Sequence, residues 1–304
     1  MFISKQKNGM SQSSRQFPRM LRVPLVAVLL SFATAVAAGS ELRICADPDN
    51  LPFSNRKEEG FENKIAELLA DDLHAKLSYT WDKQRRGFIS HTLGAKRCDV
   101  VMGVPYGYER VLSTRPYYRS GYAFVTARSR HLEIKSFDDP VLRKLKIGLH
   151  AIGNDGANSP PAHALARRGI VENIVGYSMW GEESVDNPQG QIVDAVANGD
   201  VDVAIVWGPI GGFFAKQYGK DLVVTPAPAD AGMPSQPFAF DISIGVRKDD
   251  GAFAAKLEKS LERKQREIQD ILAAYNVPLI KPLTGSASSQ SGTDQAAPKN
   301  HNKR

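Results

Sequence analysis

Asp47, Asp49 and Asn50 crowd three oxygen-bearing side chains into one short run, a spacing that could hold a calcium ion. A calcium loop of the helix–loop–helix kind needs glycine at its sixth position and glutamate at its twelfth. Counted from Asp47, those positions are Pro52 and Glu58, so the turn glycine is missing and Asx-turn or capping duty is the better reading. Nucleophilic hydrolysis has no G-x-S-x-G elbow to rest on, and His163 reads as a helix-surface residue. The six histidines show no paired spacing with the two cysteines, which argues against a metal centre. No catalytic residue, metal or cofactor is expected, and the protein is not expected to be an enzyme.

Three further groups carry binding chemistry. Arg110 could grip an anion through its planar fork, or could be engaged in a salt bridge with Glu109 or Asp99; both readings stay open. Tyr106, Tyr108 and Trp207 would line a wide aromatic cleft, or would serve in ordinary packing between strand ends and helices. Cys45 and Cys98 are either a disulfide or two buried thiols. A bridge closing about 54 residues would contribute roughly 4 kcal/mol through chain entropy, less any strain.

The elements that must position these residues follow from the apolar pattern. Residues 1–22 carry Lys5, Lys7, Arg15, Arg19 and Arg22 and no acid. Val23 to Ala38 is an apolar run ending in Ala35-Val36-Ala37. Together these describe a cleaved secretory leader over 1–37, too short to be a membrane span, and place the protein in the periplasm. An oxidising compartment favours the disulfide. Glu41–Cys45, Lys76–Trp81 and Asp99–Val104 read as strands separated by helices at Phe61–Leu73 and Gly87–Leu93. The rhythm restarts with strands at Lys146–His150, Ile174–Tyr177 and Val201–Trp207, separated by helices at Pro160–Arg168 and Gln191–Asn198. Strands at Leu222–Thr225 and Phe238–Val246 follow, and Phe253–Tyr275 reads as one long helix. This is α/β architecture with two lobes, each a mixed sheet flanked by helices, joined by two hinge crossings near Thr126–Arg130 and Met233–Phe238. The expected division is 38–128 plus 237–283 for lobe 1 and 129–236 for lobe 2, with 284–304 a disordered tail.

The formal charge of +6 includes five basic residues of the leader, and the tail from Thr284 adds a net two, so the folded body sits near −1. No basic stripe is interleaved with aromatics, so nucleic acid is not an expected partner.

Gly103-Val104-Pro105-Tyr106-Gly107-Tyr108-Glu109-Arg110, followed by Ser113-Thr114-Arg115-Pro116-Tyr117-Tyr118, resembles the signature of type II periplasmic solute-binding proteins. Gly199-Asp200-Val201-Asp202-Val203-Ala204 resembles that family's second-lobe Gly-x-x-Asp-Ala strand. Three further blocks narrow the match: Arg43 to Asn55, Arg97 to Pro105, and Asn154 to Leu165 resemble the MxaJ/XoxJ type, associated with quinoprotein methanol dehydrogenases. The resemblance implies the two-lobed type II fold. It also implies a non-enzymatic accessory protein whose partner is a PQQ-dependent methanol dehydrogenase, of the lanthanide rather than the calcium type. A monomer is expected.

In amino-acid receptors of this family an arginine at the position of Arg110 clamps the ligand carboxylate. Here the assisting threonines are replaced by Pro105 and Gly107, and the aspartate that pairs the ligand ammonium falls at Trp207, which has one N–H donor and no charge. The second-lobe anion loop reads Gly153-Asn154-Asp155-Gly156-Ala157-Asn158. A zwitterion would leave its ammonium unpaired at a cost of several kcal/mol. The candidate ligand or partner cleft therefore comprises Arg110, Tyr106, Tyr108 and Trp207, with Asp47 and Phe53 from the first loop and Asn154 and Asp155 from the second lobe. Such a cleft could receive a segment of another protein. The competing reading is a receptor that delivers a small organic anion to an ABC importer through Arg110.

Overall fold

The computed structural model describes residues 40–151, 158–179 and 187–281. The expected leader, the tail from Thr284, and the loop residues Asn154 and Asp155 lie outside these. Strand Glu41–Ala46 pairs in parallel with Lys76–Trp81 on one side and with Val100–Pro105 on the other. Helix Phe61–Asp72 makes the crossover between the first two. It buries Phe61, Ile65, Ala66 and Leu69, the apolar face its spacing predicts. Ala239–Val246, from late in the chain, closes this half as an antiparallel neighbour of Val100–Pro105. Leu42, Ile44, Phe61, Ile65, Met102, Ile244, Leu257 and Leu272 form its core.

The ten-residue strand Tyr118–Ala127 belongs to both halves. Its first residues pair with Ala239–Ile242, with Gly121 opposite Ala239. From Tyr122 onward it pairs antiparallel with Val203–Trp207, with Trp207 opposite Tyr122, and also with Leu222–Pro226. The partners therefore change at Gly121–Tyr122, earlier than the crossing expected at Thr126–Arg130. The reason is packing: Phe124 and Val125 already point into opposite faces of the second half's core. Ile147–Ala151 and Ile174–Ser178 complete that half in parallel. Val203–Trp207 is covered on both faces, which explains its unbroken apolar run.

Two elements depart from the sequence reading. The expected long helix Phe253–Tyr275 is two helices, Gly251–Arg263 and Gln265–Ala274, broken at Lys264 (φ −101°, ψ 13°). The break lets Leu257 and Leu261 on one side and Ile268 and Leu272 on the other all reach the same core. Helix Gly208–Lys216 has no helical apolar stripe to betray it, since most of its residues are buried all round. Its glycines serve close approach: a Cβ on Gly208 would sit 2.5 Å from the Gly121 carbonyl oxygen, and one on Gly212 would strike that of Asn276.

Cys45 and Cys98 form a disulfide with Cα atoms 5.4 Å apart, within the ordinary range for such a bridge. It lies inside a small apolar cluster with Phe88, Leu93 and Val101. Among the described residues no helix is long and apolar enough to cross a membrane.

Candidate functional site

A cavity of about 450 Å³ opens where the two halves meet. It lies at the carboxyl ends of the parallel strands, where open α/β sheets gather their ligands. Each wall has a clear structural origin. Tyr118 and Tyr122 are four positions apart on the shared strand and so face the same way. Trp207 lies directly across from Tyr122, with ring centroids 5.6 Å apart edge to face, and Phe240 meets Trp207 at 5.8 Å. Met102, Ile205, Ile210 and Ile242 add apolar surface.

The polar part of the wall is small. Glu62, in the first turn of helix Phe61–Asp72, is only 9% exposed although it lines the cavity. Burial pushes its carboxyl up to about 8, and among the described residues no hydrogen bond or cation compensates it. Gly103 makes room for it: this residue has φ +70°, and a Cβ there would strike the Glu62 carboxyl. His150, at the end of strand Ile147–Ala151, is lowered to about 4 by burial and is neutral at ordinary pH. Its Nε2 lies 3.2 Å from the Gln189 carbonyl oxygen, so that nitrogen carries the proton.

The rim is tied by amides. Asn50 Nδ2 donates to Gln84 Oε1 at 3.1 Å. Gln189 Nε2 donates to Asn50 Oδ1 at 3.0 Å and to the Asp49 carbonyl at 3.2 Å. Beside these bonds Leu51 enters the apolar cluster of Ile192, Ile210 and Phe214. The loop after the first strand is thus docked onto the other half of the molecule.

The expected cleft residues divide. Trp207 and Phe53 line the cavity. Asp47 stands behind the wall: its carboxylate accepts from the Asp49 N–H at 2.9 Å and the Gln84 N–H at 2.6 Å, an Asx-turn that shapes the loop. Arg110 and Tyr108 line an adjoining groove with Arg85 and Arg86, which shares Gln84, Gly103 and Pro105 with the cavity, and Arg110 is exposed. Asp99 is not the partner of Arg110; it is held by Arg43 at 2.7 Å and Arg247 at 2.7 Å. Tyr106 is 61% exposed and Tyr108 38%. Glu62, His150 and Gln189 were missed in the sequence. Glu62 resembles any acid at a helix start, where the dipole welcomes it. The sequence carries no signal that separates it from such an acid; its burial beside Phe61 and Asn63 is visible only in the structure.

No protein-family model matches the chain. It is 33% identical over 250 residues to Protein MoxJ of Methylorubrum extorquens, covering 79% of this chain and 81% of that protein. Among solved structures it resembles the periplasmic binding protein XoxJ from Methylobacterium extorquens AM1, with 34% identity and a TM-score of 0.66 over 79% of this chain and all of that one. It also resembles MxaJ from Methlophaga aminisulfidivorans, with 28% identity and a TM-score of 0.70 over the same shares. The mixed sheet with its shared strand is accordingly the two-lobed type II periplasmic binding protein fold. The chain belongs to the MoxJ family, together with the periplasmic binding proteins MxaJ and XoxJ.

Proposed function

We propose that this protein is a non-enzymatic accessory of a periplasmic methanol-oxidation system that binds a PQQ-dependent methanol dehydrogenase and assists its maturation. It works as a monomer, exported by a leader that is cleaved at about residue 37, with lobes divided at Gly121–Tyr122 and before Ala239. The observation that carries the reading is the loop Tyr106–Arg110. In a small-molecule receptor this segment turns its arginine onto the ligand, whereas here Tyr106, Tyr108 and Arg110 present rings and a guanidinium to solvent. Tyrosine and arginine at an exposed rim are the residue types that dominate protein–protein binding energy. Periplasmic location is supported by the named relatives.

Size-exclusion chromatography of the purified protein with its cognate apo-dehydrogenase tests this. A co-eluting complex is expected, weakened about tenfold or more by Tyr106→Ala combined with Arg110→Ala, at unchanged thermal stability. Absence of a complex with both calcium- and lanthanide-type dehydrogenases, apo or loaded, would overturn it. The lanthanide-type enzyme is the expected partner. The importer reading for an organic anion would have to rest on the adjoining groove with Arg85, Arg86 and Arg110, because no lysine or arginine lines the interlobe cavity among the described residues.

A further inference from the structure

Glu62 is the only side chain of the Asp, Glu, Lys or Arg type on the described wall of the interlobe cavity. It is nine-tenths buried, faces the cavity, and has no described partner. Across the same space stand Tyr122, Trp207 and Phe240, in successive edge-to-face contacts. Ring faces carry negative partial charge and attract cations held against them, Trp most strongly.

We propose that this cavity is a binding site for an organic cation, with the Glu62 carboxylate as its counter-charge and the Tyr122–Trp207–Phe240 wall against its apolar body. On the described wall of this cavity an anion would meet a buried acid and no positive group, since His150 is neutral at ordinary pH and Arg85, Arg86 and Arg110 line the adjoining groove instead. A neutral guest would leave Glu62 in its unfavourable, desolvated setting. A cation instead converts that burden into a paired charge, each ion offsetting the other's loss of water. Gly103 fits the role, because the missing Cβ leaves the carboxyl its place at the strand end. The inference stands apart from the dehydrogenase reading: it concerns the protein alone, so either can fail without the other.

The test is isothermal titration of the full mature protein with three probes that share a benzyl body: benzyltrimethylammonium, benzyl alcohol and phenylacetate. Only the cation is expected to bind, and more tightly at pH 9 than at pH 6. The gain is about tenfold to a hundredfold, the range over which a carboxyl titrating near 8 gains its charge. The other groups near Glu62 stay silent over that range. His150 is lowered to about 4, while Tyr79, Tyr117, Tyr118 and Tyr122 are all pushed up by burial. Glu62→Gln should weaken the cation at least tenfold at pH 9 and abolish the pH dependence. Trp207→Leu should weaken it while keeping that dependence. Equal or tighter binding of the alcohol or phenylacetate, no cation binding at either pH, or an unaffected Glu62→Gln would each overturn the proposal.

Discussion

Replacing Glu62 by glutamine keeps the shape of a protonated glutamate and removes its ability to ionise, which isolates what the buried charge costs the fold. The carboxyl ordinarily titrates near 4.5 and is pushed to about 8 here by desolvation. That difference corresponds to about 5 kcal/mol. Because the folded value is the higher one, the folded state holds its proton where the unfolded chain has released it. Below pH 4.5 both states are protonated and no penalty exists. Stability then falls as pH rises, with about 3 kcal/mol lost by pH 7 and the full amount lost above pH 8. The helix N-terminus favours the ionised form and offsets up to about 1 kcal/mol of this loss. Glu62→Gln should thus be neutral at pH 4, stabilising by up to about 3 kcal/mol at pH 7, and more so at pH 9. At roughly 2–4 °C per kcal/mol for a chain of this size, thermal melting at pH 7 should rise by about 6–12 °C. Paired melts of both proteins at the three pH values read it directly. A variant that tracks the parent at every pH would refute the desolvation argument, as would a parent that gains on the variant between pH 5 and 9.

Three further outcomes follow from other contacts. Replacing Cys45 and Cys98 together by alanine should lower stability by roughly 4 kcal/mol, the chain-entropy value for a loop of this length; urea unfolding of the parent with and without reductant should show the same gap. Gln189→Ala removes both bonds to the Asp49–Asn50 loop, worth about 1–3 kcal/mol together, and should open the lobes. Small-angle scattering should show a larger radius of gyration, and superimposable curves would count against a latch. Arg168→Ala leaves the Asp230 carboxylate buried without its bidentate partner at 2.7 and 3.0 Å, which should cost about 3–5 kcal/mol at pH 7. The guanidinium holds Asp230 below the usual carboxylate range, so this stabilisation is present above pH 4 and lost as pH falls through the lowered value. The gap between parent and variant in urea should therefore narrow toward pH 3.

Strands and most helices were legible because their apolar spacing is driven by one-sided burial. Glu41–Ala46 and Lys76–Trp81 fall within a residue of where alternation places them. Helix Gly208–Lys216 was not legible for the converse reason: buried on nearly every side and built on three glycines, it has neither stripe nor propensity. The split at Lys264 was hidden too, since both helices keep acceptable spacing and only their shared core on helix Phe61–Asp72 demands a turn between them. The disulfide followed from strand adjacency, which the strand–helix–strand rhythm implies and the register of Cys45 opposite Val101 realises.

The site shows where such reading stops. Arg110 follows Gly103 by seven residues, and chain order alone suggests that the arginine enters the cleft with the glycine. The strand runs through Gly103 to Pro105, however, and the chain then turns at Tyr106–Gly107, which carries the guanidinium into the adjoining groove. The position it vacates in the chemistry is filled from another element, by an acid on helix Phe61–Asp72 that only three-dimensional packing brings to Gly103. The charge on the described cavity wall is therefore opposite to the one the sequence suggests. A cleft whose sequence suggests an anion clamp becomes, among its described residues, an aromatic chamber with a single buried carboxyl, and the arginine joins Tyr106 and Tyr108 on an exposed loop.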